Sequence, residues 1–220
     1  MDNTSIMVSG CFFIIGAVLL WLCKILMPVP IEYGYKKDDF ARIKTCFYRW
    51  IWLYRGHIFG SIISAMALVS FGILIMETSY RILMVPALAI SFTGLIVSAL
   101  AEAYYYHFGG FGSLELDGKS DTDVDMFIQQ LHTGLEYISC LVRFSRVFLG
   151  LGQCVLAAGL LLENILPVWF ICYTFLLGAA AILLTMIAPA KLHLYKPVFH
   201  LNALWILLTG IIILSGIMNL

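Results

Sequence analysis

Charged side chains are scarce in this chain. They make up 12% of its 220 residues, about half the share with which a water-soluble domain of this size covers its surface. With 62% of the residues hydrophobic, the missing polar surface implies lipid as the solvent. Net charge is absent too: the formal charge is zero, without the basic excess that phosphate backbones demand, so no nucleic-acid partner is expected. The six cysteines, Cys11, Cys23, Cys46, Cys140, Cys154 and Cys172, have no CxxC or other metal spacing. Most of them lie inside apolar runs as small hydrophobes, which excludes a zinc finger and a disulfide framework. HExxH, GxSxG and histidine-box patterns are missing, and with them the metalloprotease, serine hydrolase and desaturase readings. The opening MDNTSIMVSGCFFIIGAVLLWLCKILM lacks a basic n-region, and its apolar run is too long for a signal peptide, so it reads as a retained first membrane helix.

What the chain does have is a series of long apolar runs. A helix needs about 20 such residues to cross a hydrocarbon core of roughly 30 Å, and six segments qualify: about 6–27, 57–77, 82–106, 137–162, 167–188 and 198–219. Runs of this length and uniformity suit helices, in which every backbone amide is paired within its own segment. The expected fold is therefore all-α, a single polytopic domain over 1–220 with six transmembrane helices. Prolines mark the boundaries. MPVP at 27–30 and Pro189 end spans, Pro167 and Pro197 start them, and Pro86 falls inside the third near its first turns.

Six spans place alternate loops on alternate sides. Of the 13 Lys and Arg residues, Arg81 alone falls on one side; all others lie in or beside the loops at about 28–56, 107–136 and 189–197. By the positive-inside rule these loops are cytoplasmic and both termini face away from the cytoplasm. Within the first loop, DDFARIKTCFYRWIWLYRGH begins with an N-cap candidate, Asp38 or Asp39. It carries Phe40, Ile43, Phe47, Trp50, Ile51 and Tyr54 at helical spacing, the pattern of an interfacial helix with its apolar face in the headgroups. Pairs such as Gly56/Gly60, Ser61/Ala65 and Gly150/Cys154 predict close helix crossings.

Ionisable groups pressed against the spans are the candidates for function. All five histidines fall on the cytoplasmic side: His57, His107, His132, His193 and His200. Glu102, at or just inside the membrane boundary, is costly enough there to be a functional candidate. Around the fourth span, HTGLEYISCLVRFSR becomes a stripe when wound at 100° per residue. His132, Glu136, Ser139, Arg143 and Arg146, extended by Asp125, Gln129 and Gln153, fall within a sector of about 120° on one helix running from about Asp123 to Leu162. Such a helix is about 60 Å long, so it projects beyond the bilayer, lies along its surface or breaks near Gly134. Its stripe either wets one face, with Arg143 and Arg146 snorkelling to headgroups, or lines a cavity with His57, His107 and His200. The preceding LELDGKSDTDVD offers Asp121, Asp123 and Asp125 to Mg²⁺ or Ca²⁺, or else to the helix dipole as N-terminal acids. FGGFGS just before it reads as a flexible turn, without the spacing of a phosphate loop.

Three functional classes follow. The leading one is a small transporter or channel for an ion or small solute, with the stripe and Glu102 as ligand or proton path, in a bundle expected to form homo-oligomers or join membrane partners. The second is a membrane subunit of a larger complex, structural or redox, with paired imidazoles from His57, His107, His132 or His200 on haem or copper, or a quinone head among His, Glu and Arg. The third is an enzyme acting on lipid-linked phosphate, with Asp121, Asp123 and Asp125 on a metal ion and Arg143 with Arg146 on the phosphate.

Overall fold

The computed structural model describes residues 3–28, 35–188 and 194–216. Among them are seven helices and no strand: α1 (Asn3–Leu26), α2 (Lys37–Thr45), α3 (Phe47–Leu74), α4 (Arg81–Glu115), α5 (Asp121–Glu163), α6 (Val168–Ile187) and α7 (Tyr195–Leu214). All except α2 are long and apolar enough to cross a membrane, and the chain is an integral, multi-pass membrane protein. Pro30, Pro189, Lys191 and His193 lie outside the described residues.

The long helices form a ring. α1 packs beside α3, α3 beside α4, α4 beside α5 and α5 beside α6, while α7 touches α6 over a shorter stretch and closes onto α1. Small residues make the closest crossings: a Cβ added at Gly150 would sit 2.6 Å from the Gly178 carbonyl of α6, and one at Gly60 2.7 Å from the Leu20 amide of α1. Predicted small-residue pairs therefore lie where backbones meet, as dispersion-driven packing in lipid requires. At the end where α1 begins and α7 ends, the α3–α4 and α5–α6 turns are tied together, Tyr80 N–H donating to Glu163 Oε1 at 3.0 Å. Asn164 ends α5 in the left-handed conformation, φ 54°, which Asn tolerates better than most residues.

The opposite end departs from the sequence expectation in four ways. The second span starts at Phe47 instead of about 57, because the loop helix breaks at Cys46 into α2 and α3. Asp39 is the third helical residue of α2, not its cap, and accepts from Lys36 N–H at 2.8 Å. The apolar residues Phe40, Ile43, Trp50 and Tyr54 are buried in protein, packed with Tyr35, Tyr105 and Ile138. Tyr48 and Trp52 are the large apolar groups of this stretch left exposed. Finally, FGGFG is helical, the last turns of α4. Its glycines admit rings: a Cβ on Gly109 would meet Trp50 Cη2 at 2.7 Å and one on Gly112 would meet Phe127 Cε1 at 2.9 Å. Tertiary packing of aromatics outweighs the low helix propensity of glycine here. α5 runs unbroken through Gly134 for 43 residues, about 65 Å, so its first third extends past the spans alongside α4.

Candidate functional site

The inward face of α4 carries Ala99, Glu102 and Tyr105 at one-turn spacing, while Leu100 and Tyr104 point outward, and Ser98, one turn before Glu102, joins the same cavity lining. That spacing aims a carboxylate into the ring. It meets the imidazole of His57, brought to the inner face of α3 between the buried Tyr54 and Gly60. His57 Nδ1 and Glu102 Oε2 are 2.8 Å apart, with side-chain exposures of 1% and 6%. Ser98 Oγ donates to the other carboxylate oxygen at 3.3 Å. With Nδ1 as the donor to Glu102, the tautomer is set by that bond. His57 Nε2 is buried with no hydrogen-bond partner.

Beside this pair lies a cavity of about 100 Å³. His57 and Glu102 line it together with Lys24, Arg146, Tyr195 and Asn202, and Leu20, Leu95, Leu149 and Ile206 supply apolar wall. The Arg146 guanidinium lies 3.7 Å over the Tyr195 ring, and Lys24 Nζ lies 5.7 Å from the Phe199 ring centroid. The Tyr195 hydroxyl is buried without a hydrogen-bond partner. Deeper in, Gln153 Nε2 donates to Asn202 Oδ1 at 2.8 Å, and Asn202 Nδ2 donates to the Val198 carbonyl at 3.0 Å. Gln153 is fully buried, its own Oε1 unpartnered. By helix rise, Glu102 lies about 32 Å along α4 from Arg81 and Gln153 about 15 Å from the Glu163 end of α5. The polar groups thus run from one boundary of the spans to their middle. Beyond them the core is largely apolar, with Phe13, Phe71 and Phe170, and its side-chain ties include Trp205 Nε1–H to Thr174 Oγ1 at 2.9 Å and Ser70 Oγ–H to Ser9 Oγ at 3.0 Å.

No family model matches this chain, and no curated protein or solved structure does. The site is therefore interpreted on its own geometry.

The helix-four stripe divides. Ser139 and Gln153 are buried and Arg146 is half-buried, whereas His132, Glu136, Asp125 and Gln129 are exposed. The buried face of α5, followed through Leu135, Val142, Leu149, Leu156 and Leu160, is centred roughly 80° to one side of His132. One edge of the stripe therefore turns into the ring while the other faces out. Arg143 is half-buried outside the cavity lining. His107 is exposed and stacked on Phe111, ring centroids 5.9 Å apart. His200 accepts at Nδ1 from Trp21 Nε1 at 2.9 Å. His57 is thus the histidine of the predicted cluster that reaches the cavity, and among the described residues no three His, Cys, Asp or Glu groups converge on a metal position.

The acidic run before α5 is engaged in local contacts. Lys37 pairs with Asp121 and Lys44 with Asp117; the hydrogen bond to Asp121 holds the Lys37 ammonium above its ordinary pKa. Ser120 caps α5, its Oγ donating to Asp123 Oδ2 at 2.7 Å while Asp123 N–H approaches the same Oγ at 3.3 Å. The Ser120 hydroxyl and backbone N–H hold the Asp123 carboxyl below its ordinary value. A depressed carboxylate contributes stability above its unfolded pKa and loses it as pH falls through the folded one. Ser120→Ala is accordingly expected to cost about 1 kcal/mol, confined to the first turn of α5. Amide exchange there should quicken in the variant, and in the parent on acidification, while the spans stay protected; unchanged exchange would refute the cap.

Asn202, Lys24 and Tyr195 escaped the sequence reading. Asn202 carried a usable signal: a lone amide in an apolar run needs a partner, as Gln153 does, and Gln153 Nε2–H donates to Asn202 Oδ1.

Proposed function

We propose that this protein is a membrane carrier for a small polar solute, bound in the chamber between His57, Glu102, Arg146 and Asn202. The observation that carries this reading is the buried polar chamber itself. Polar and ionisable groups are expensive within the spans, and here they line open space with two polar atoms, His57 Nε2 and the Tyr195 hydroxyl, left without protein partners. A purely structural network closes on itself, because an unsatisfied buried group costs about 1–3 kcal/mol. The excess of Lys and Arg in the loops at the α2 end supports a cytoplasmic position for that end by the positive-inside rule, and on this reading the solute enters from that side. The apolar half around Phe13, Phe71 and Trp205 then serves as the closed gate.

The test is access from both faces. In protein with the six native cysteines replaced by alanine, Ser145→Cys puts a near-isosteric thiol on the chamber wall. A membrane-impermeant maleimide should label it rapidly from the α2 face of sealed vesicles, and slowly from the opposite face as the carrier samples its other state. Labelling from one face alone would leave a dead-end pocket and refute carriage; labelling from neither would refute the chamber.

A further inference from the structure

We propose that the outer corner between α1 and α3, at the α2 end, binds an anionic phospholipid, with its phosphate on Arg49 and Arg55 around Trp52 and an acyl chain along Phe59. The site is separate from the chamber, and it stands whether or not the protein is a carrier. Helical winding is the first argument. At 100° per residue Tyr48, Trp52, Arg55, Phe59, Ile62 and Met66 share a sector of about 80° on α3, and all six are exposed. α1 packs roughly 60° to one side of Trp52, where a Cβ on Gly56 would meet Cys23 Sγ at 2.6 Å and one on Gly60 the Leu20 amide at 2.7 Å. Across that seam α1 exposes Leu22 and Leu26.

Depth is the second. From Phe59 onwards this outer face of α3 is apolar, as lipid tails require, and towards the α2 end the same face changes to Arg, Trp and Tyr. By helix rise Arg55 lies about 29 Å along α3 from Leu74, the thickness of a hydrocarbon core of roughly 30 Å. Trp52 and Arg55 therefore stand at headgroup level, where an indole has one apolar side and one wet edge. The Arg55 guanidinium lies 5.2 Å from the Trp52 ring centroid, so the side chain reaches towards the α2 end and away from the apolar face.

Charge is the third. Arg49 and Arg55 stand three residues either side of Trp52, its neighbours on the helix surface. Arg49 crosses to α1, its Nη2 donating to the Leu26 carbonyl at 3.3 Å, and Arg42 reaches the Pro28 carbonyl from Nη2 at 3.4 Å. Each bond engages one nitrogen of a five-donor fork. The ion pairs among the described residues are Lys37–Asp121, Lys44–Asp117, Lys119–Glu115 and His57–Glu102, and none includes these three arginines. Carboxylates thus answer the lysines of α2, while a phosphate, the anion that a guanidinium fork matches, is left to answer the arginines. A zwitterionic headgroup would bring its own cation to the same corner, and an anionic one does not.

Native mass spectrometry of the full chain released from nanodiscs tests this. In phosphatidylcholine discs containing increasing phosphatidylglycerol, the chain should retain one phosphatidylglycerol saturably and no phosphatidylcholine. Arg55→Gln should raise the half-saturating fraction about fivefold, the share of one arginine in binding an anionic membrane surface. Arg49→Gln with Arg55→Gln should raise it about 25-fold. Lys119→Gln removes the same charge from the same end, in the α4–α5 turn, and should leave retention unchanged; an equal weakening there would mean diffuse attraction and overturn the site. Trp52→Leu keeps every charge and should still weaken retention, through loss of the ring that orients Arg55. If the double variant does not yield folded protein, Arg55→Lys keeps the charge, loses the fork and should bind more weakly than the parent. Equal retention of the two lipids, retention of neither, or retention unaltered by the arginine variants overturns the proposal. A dimer in phosphatidylcholine alone that Phe59→Ala dissociates would put a second copy on this face and likewise overturn it.

Discussion

Glu102→Leu is expected to destabilise the bundle by about 2–3 kcal/mol. The substitution leaves the His57 Nδ1 donor without an acceptor at a position where the ring is 1% exposed. Removing one partner of a buried charged pair in water-soluble proteins costs about 3–5 kcal/mol. Hydrogen bonds between membrane helices average nearer 0.6 kcal/mol, because the separated helices also find partners in lipid. The His57–Glu102 contact lies between these limits: it is buried and ionisable, yet it borders a cavity that can hold water. The double variant His57→Phe with Glu102→Leu should recover at least half of the loss, since both orphaned groups are then gone and Phe199 already packs beside the His57 ring, centroids 5.7 Å apart. A double-mutant cycle of unfolding in mixed detergent micelles measures this. Equal stability of Glu102→Leu and the parent would mean that the pair is solvated and contributes nothing.

Gly178→Val should be at least as damaging, by a different route. α5 and α6 cross with their backbones in contact, so a Cβ on Gly178 would fall 2.5 Å from the Gly150 carbonyl and 3.0 Å from Gln153 Cβ. The obstacle is backbone, which cannot rotate away, and the helices must separate. Overpacking costs about 1–3 kcal/mol, and a branched side chain at a backbone crossing belongs at the upper end. Gly72→Ala is the matched control: its Cβ would meet only Leu88 Cδ1, at 3.6 Å, an ordinary contact. The expected readout is loss of monodisperse folded protein, or a stability deficit of about 3 kcal/mol, for Gly178→Val alone. Because Gln153 and the chamber residue Ala181 sit beside this crossing, any Gly178→Val protein that folds should also bind the chamber's occupant more weakly. Normal stability would show that α5 and α6 do not meet at these glycines.

Much of this molecule is legible along one dimension. Six apolar runs determine six helices because lipid forbids an unpaired backbone, and the rule needs no knowledge of neighbours. Pro167, Asn164 and the acids around Ser120 mark helix ends through local stereochemistry. Glu102 and Gln153 stood out because polar groups in apolar runs must find partners, whatever those partners are.

Direction and pairing are another matter. The stripe from Asp125 to Gln153 is a real property of helical winding, but which edge of it turns inward depends on where α4 and α6 press against α5. FGGFG reads as a turn until Trp50 and Phe40 are placed against it, when its missing side chains become the space those rings occupy. That His57 reaches Glu102 across 45 residues, and Gln153 reaches Asn202 across 49, follows from the order of helices around the ring. Local periodicity sets what each helix can present, and only packing of the whole bundle decides what it presents it to.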